Sequence, residues 1–254
     1  MQKNIQSNLF APQASLLVVL LLCNFTIANS QERKLLITTE PSFPSTSITD
    51  NGNTIFGQTA DKVHEILKRS HIPYDMQMMS WNRSFELARN DANTCVFATA
   101  RTKEREAQFK WVGPISKGEW AIFGLRNQAG KVTRLEDIKN ANIGGVRGDV
   151  LAEYLVDKGY HVITSSENEI SLKNVALGRM DYWVTDSRNG ANLINKNHLE
   201  NKIVLLFTIP HSTEYYLACN LQLSDDLMDR MKSKLMEIKA DGTEAKIDAK
   251  YLNH

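Results

Sequence analysis

The segment Thr94 to Arg105, Thr-Cys-Val-Phe-Ala-Thr-Ala-Arg-Thr-Lys-Glu-Arg, carries an apolar, β-prone run into small residues and then into a Thr-x-x-Arg turn. Reading Thr94 to Ala98 as a strand decides the fold class, because it is the third strand of an alternating series. Leu35 to Thr39 is the first, ended by Glu40-Pro41-Ser42-Phe43-Pro44, since neither proline can continue a ladder. A helix over Thr59 to His71 follows, with Ala60, Val63 and Leu67 on one face and Asp61, Lys62, Glu65 and Lys68 facing away. Tyr74 to Met79 is the second strand, and Ser80-Trp81-Asn82 connects it to a helix over Arg83 to Arg89. Strand, helix, strand, helix, strand is the pattern of a parallel sheet with helices on its faces.

A second set of the same kind follows Trp120 to Leu125. Asn142 to Val146 is a strand, Gly148-Asp149 a turn, and Val150 to Asp157 a helix capped by Asp149 and stopped by Gly159. His161 to Thr164 is a strand, Glu169 to Leu177 a helix ended by Gly178, and Tyr182 to Thr185 a strand again. Ile203 to Ile209 and Tyr215 to Asn220 read as two further strands. Ser224 caps a helix with Leu227, Met231, Leu235 and Ile238 on its apolar face, and Thr243 opens a short last helix after Gly242. The chain therefore holds two α/β units, with no internal repeat.

The N-terminus differs from the rest. Lys3 precedes the apolar run Ala14 to Leu22, and small residues follow at Ala28 and Ser30, the layout of a secretory signal over residues 1–30 cleaved near Ser30. Retention of the run as a membrane anchor is the alternative. Leu22 before Cys23 argues against lipidation, which needs a small residue there. The 30 basic and 29 acidic residues show no basic stripe, which excludes the usual nucleic-acid footprint. Cys95 and Cys219 remain after the leader. They are free to pair in an oxidising compartment, but buried free cysteines also pack as small hydrophobes, and without a spacing signature the reading is unpaired.

Most catalytic constellations are absent from the sequence. It contains no Gly-rich phosphate loop, no His-Glu-x-x-His, no Cys-x-x-Cys and no Gly-x-Ser-x-Gly, and its six His residues are scattered, so neither a cofactor nor a metal is expected. What recurs is a polar or aromatic group wherever a strand ends: Glu40 and Phe43, Trp81, Thr99 to Arg105, Arg147-Gly148-Asp149, and Asp186-Ser187-Arg188. In open parallel sheets ligands bind beyond the carboxyl ends of the strands, so these groups are candidates to converge on one cleft.

Leu35 to Phe43, Thr102 to Arg105, Gly178 to Asp186 and Lys239-Ala240-Asp241-Gly242-Thr243 together resemble the extracytoplasmic solute-binding proteins of family 3, which serve polar amino-acid ABC importers. The resemblance implies a type II periplasmic-binding-protein-like α/β fold of two lobes, each a sheet flanked by helices, with the ligand cleft between them. It places lobe 1 at 31–116 and 221–254 and lobe 2 at 117–220. It implies a monomer in the periplasm that captures a small polar, amino-acid-like ligand by hinge closure and hands it to a membrane permease. Arg105 would grip the ligand carboxylate and Asp186 the ammonium, with Glu40 sharing that role, Phe43 packing on the ligand, and Trp81 falling where the family often has another cleft residue. Thr99, Ala100, Gly148 and Asp149 complete the candidate set.

Two positions depart from the family pattern. Asp149-Val150 stands where a small hydroxyl pair is usual, so a carboxylate would face the ligand carboxylate. Ala100 stands where many members have Ser. Two other functions use the same scaffold: a dehydratase-like enzyme with Glu40 as acid or base, and a ligand-sensing partner of a membrane receptor.

Overall fold

A computed structural model describes Met1 and residues 34–49 and 51–251. Apart from Met1, the expected leader and its cleavage position near Ser30 lie outside the described residues. Among those described, no helix is long and apolar enough to cross a membrane.

The first α/β set comprises β1 (Leu35–Thr39), the short pair β2 (Ser47–Ile48) and β3 (Ile55–Phe56), α1 (Gln58–Arg69), β4 (Tyr74–Met78), α2 (Trp81–Asn90), β5 (Thr94–Ala100) and α3 (Lys103–Glu106). β6 (Lys110–Leu125) leads into the second set: β7 (Asn142–Val146), α4 (Val150–Asp157), β8 (His161–Ser165), α5 (Asn168–Ala176), β9 (Tyr182–Asp186) and α6 (Ser187–Lys196). β10 (Ile203–Cys219) returns to the first, followed by α7 (Asp225–Ala240) and α8 (Thr243–Ala249).

One sheet runs through both sets in the order β4-β1-β5-β10-β6-β9-β7-β8. β1 pairs in parallel with β4 and β5, and β7 in parallel with β8 and β9. Between these parallel halves lies an antiparallel ribbon of β6 and β10, paired from Lys110 and Cys219 at one end to Leu125 and Ile203 at the other. Its register shifts three times, and such irregularities bend a ribbon and raise its twist. Each half buries its own apolar side chains. Leu35, Ile37, Ile66, Phe97, Met231 and Ile238 share one cluster, while Trp120, Ile122, Ile143, Leu155 and Val184 share another.

Several expectations need correction. The two strands expected over Ile203 to Ile209 and Tyr215 to Asn220 are one. Pro210 falls between the Thr208 and Ser212 pairings, where the register breaks and its missing N–H costs no ladder bond. Trp81 is the first residue of α2, after Ser80, and not part of a connection. Helix α6, which the sequence reading did not foresee, begins directly after β9. Lys62 does not face solvent: at 3% exposure its Nζ donates to the Ile115 carbonyl and pairs with Glu244 and Asp248, because α8 covers this side of α1.

Cys95 and Cys219 are disulfide-bonded, not free. They stand directly opposite in the antiparallel β5–β10 pairing, with Cα atoms 4.0 Å apart across a sequence separation of 124. The bond ties the returning strand to the first α/β set. Replacing both cysteines by alanine should lower unfolding stability by about 2–4 kcal/mol, read from denaturant titrations, and reduction of the native protein should give a similar loss.

Candidate functional site

The strand ends converge on one cleft cavity. Its walls include Glu40 after β1, Trp81 at the start of α2, Ala98 and Ala100 of β5, Arg105 of α3, Asp149 before α4 and Asp186 at the end of β9. Both parallel halves thus contribute, as expected for loops at the carboxyl ends of parallel strands.

Arg105 is buried at 4% exposure, a rare state for an arginine. Its guanidinium lies 5.7 Å from the Trp81 ring centroid and 5.1 Å from that of Phe85. Nη2 donates 2.9 Å to the Gly148 carbonyl and 2.9 Å to Glu153 Oε2, while the buried Nη1 has no hydrogen-bond partner among the described residues. Trp81 Nε1 donates 2.7 Å to the same Gly148 carbonyl. Gly148 reaches that position with φ of 72°, in the left-handed region that suits glycine. Arg101, the neighbouring cation, is engaged elsewhere: it forks onto the Glu106 carboxylate and sits over Trp111 and Tyr216.

Three acids line the cavity. Asp149 is the N-cap of α4, its Oδ1 accepting from Leu151 N at 3.1 Å. Asp186 caps α6 through the backbone N–H groups of Arg188 and Asn189, and its Oδ2 accepts from Glu119 N at 3.2 Å. Glu40, by contrast, directly follows the end of β1 and caps no helix.

Burial, reinforced by Asp149 and Glu167, pushes the Glu40 carboxyl up to about 8. Burial raises Asp149 to about 6, against the counter-pull of the Leu151 N–H and the Arg105 charge. Asp186 is also raised, chiefly by burial. The Tyr215 phenol, buried beside these acids, is pushed well above its ordinary range.

Three cations also reach the walls, but two are committed to acids outside them. Arg105 pairs with Glu153, and Lys117 with Glu214 at 3.3 Å. Arg188 donates to Gln58 Oε1 at 2.9 Å and lies close enough to Asp186 to offset part of its shift. Among the described residues, Glu40 and Asp149 form no ion pair. The cavity therefore holds more carboxyl groups than uncommitted cations, and an arriving cation would favour their charged forms.

Of the residues expected at the site, Glu40, Trp81, Ala100, Arg105, Asp149 and Asp186 line this cavity, whereas Phe43, Thr99 and Gly148 do not. Thr99 is fully buried, its hydroxyl donating to the Val96 carbonyl, and Gly148 acts through its carbonyl on the outer side of Arg105. Sequence reasoning missed Tyr215, Lys117 and Asn189. A usable signal was Gly118 within β6, since an interior glycine marks a close approach. A Cβ there would lie 2.5 Å from the Tyr215 ring and 2.7 Å from Asp186 Oδ2.

Residues 35–254 match the family described as bacterial extracellular solute-binding proteins, family 3. The chain belongs to that family. A relative named "Probable amino-acid-binding protein YxeM", from Bacillus subtilis (strain 168), is 24% identical over 252 residues, covering 94% of this chain and 92% of the relative. Among solved structures, a histidine kinase sensor domain with similarity to periplasmic binding proteins superposes with a TM-score of 0.80 at 21% identity, covering 87% of this chain and 96% of the other. An ancestral arginine-binding protein bound to arginine gives 0.77 at 21% identity, covering 86% and 98%. ArgBP from T. maritima, as a mutant, gives 0.77 at 18%, covering 87% and 96%. The fold of this solute-binding protein is the type II periplasmic-binding-protein fold, and its family and neighbours are binding proteins.

The raised acids fix the sign of one pH effect. Unfolding returns Glu40 to its ordinary 4.5, so between about 4.5 and 8 the folded chain holds more protons than the unfolded one, and stability falls as pH rises. Glu40→Gln should flatten that slope in ligand-free unfolding measured at pH 5, 6.5 and 8. An equal slope in the variant would contradict the placement of the charge.

Proposed function

We propose that this protein captures a small amino acid with a cationic side chain in the periplasm, after cleavage of its leader near Ser30, and delivers it as a monomer to the permease of an ABC importer. The observation that carries the ligand class is a pair of carboxyl groups, Glu40 and Asp149, with no ion-pair partner among the described residues, sharing a cavity with the buried Arg105. A charged ligand leaving water needs its charges met by opposite ones in fixed places. Asp186 takes the α-ammonium, Arg105 the carboxylate, and Glu40 and Asp149 the side-chain cation, while Trp81 packs beside it. Lobe 1 is formed by 31–116 and 221–254, lobe 2 by 117–220, and hinge closure about the β6–β10 ribbon completes the site.

Asp149 thereby acquires a purpose at a position where the family resemblance leads one to expect a hydroxyl. Its charge disfavours a ligand whose only strong group there is an anion, and favours one that brings a cation. That an arginine-binding protein shares this fold makes a basic amino acid a natural first probe.

The sensor-domain neighbour favours a second reading, in which the liganded protein docks on a membrane receptor. Signalling that survives loss of every importer partner would select it, whereas import by permease vesicles that requires this protein would select delivery.

Calorimetric titration with L-arginine, L-lysine, L-glutamine and L-glutamate tests the ligand class. Basic amino acids should bind tightest, and their affinity should rise from pH 6 to pH 8 with proton release, because a cation draws Glu40 and Asp149 into their charged forms. Glu40→Gln should weaken L-arginine about tenfold or more and leave L-glutamine nearly unchanged. Arg105→Ala should weaken both by about 30-fold or more, the usual consequence of truncating one side of a buried charged contact. Tighter binding of L-glutamate than of L-arginine would overturn the assignment.

A further inference from the structure

Arg105 is held by a carboxylate that does not belong to any ligand. Glu153, one turn into α4, places Oε2 at 2.9 Å from Nη2, so one edge of the guanidinium is filled while Nη1 is left without a partner. The two side chains differ sharply in freedom. That of Arg105 is 5% exposed, and Nη2 is also tied to the Gly148 carbonyl, whereas that of Glu153 is 54% exposed.

Glu153 also has somewhere to go. It lines a groove that runs outward from Arg105 between Trp81, Phe85, Tyr154 and Asp157, and it is not part of the inner cavity wall. A rotation into that groove would leave Arg105 in place with both terminal nitrogens available on one edge. An arginine binds a carboxylate best through two parallel N–H bonds, which is the arrangement Glu153 now blocks.

We propose that Glu153 is a tethered stand-in for the ligand carboxylate: it occupies Arg105 in the ligand-free protein and is displaced when a carboxylate-bearing ligand arrives. This rests on the reading of the cavity as an amino-acid site. An internal competitor lowers apparent affinity by the fraction of time it holds the anchor, and it acts only on ligands that use that anchor. It also keeps the buried guanidinium neutralised when no ligand is present, which an unpaired buried charge would otherwise make costly. Glu153 thus sets a threshold for carboxylate ligands without touching the groups that read the cation.

The test compares wild type with Glu153→Gln, using L-lysine and 1,5-diaminopentane, which differ only by the α-carboxylate. L-lysine should bind the variant about fivefold tighter, the scale set by a half-exposed ion pair, and diaminopentane should bind both proteins alike. L-lysine binding that is unchanged or weaker in the variant would overturn the proposal. If neither probe binds wild type, the ligand class proposed above fails, and acetate decides the role of Glu153. At matched ionic strength against chloride, acetate should raise the melting temperature of the variant and not that of wild type, and an equal response in both would overturn it.

Discussion

The arrangement depends on one electrostatic constraint: a single buried guanidinium and three partly buried carboxylates share a cleft where water cannot fully solvate any of them. A buried guanidinium must be matched, and for Arg105 the Glu153 carboxylate with the Gly148 carbonyl does this at Nη2. The acids answer the same constraint differently. Asp149 and Asp186 are satisfied as helix caps, and Glu40 responds by holding its proton toward about 8. The cleft thereby holds its acids hydrogen-bonded or protonated, and Glu40 and Asp149 have no ion-pair partner among the described residues.

The fold supplies this constraint through its topology. Parallel strands on both sides of the β6–β10 ribbon end at the cleft, so residues far apart in sequence, such as Glu40, Arg105, Asp149 and Asp186, line the same space. The register breaks in the ribbon and the glycine at Gly118 let Tyr215 and Asp186 approach closely. The Cys95–Cys219 bond holds the returning strand against β5 at the opposite end of their pairing from Ala100–Tyr215, which forms part of the wall.

Much of this was legible in the chain because local chemistry decided it. β1, β7 and α4 fall at the bounds read from their apolar periodicity, and the Asp149 cap follows from its position before Val150. What sequence could not carry was information held in long-range register. The pairing of Cys95 with Cys219 depends on which residues of β5 and β10 face each other. The burial of Lys62 depends on α8 reaching back across α1. The contact from Glu153 to Arg105 joins two α/β sets, and on α4 alone Glu153 is an ordinary exposed helix acid. The place of Trp81 after the second strand makes it a cleft candidate, but its Nε1 contact to Gly148 is visible only in three dimensions.

The measurement that bears most directly on the cleft as a reader of charge is native mass spectrometry of the protein purified gently from its source cells, followed by identification of the released solute. A solute carrying two cationic groups and one carboxylate, net positive near neutral pH, is the predicted result. A solute that is anionic, or that lacks any cation, would contradict an account built on the Glu40 and Asp149 carboxyl groups taking up a cation.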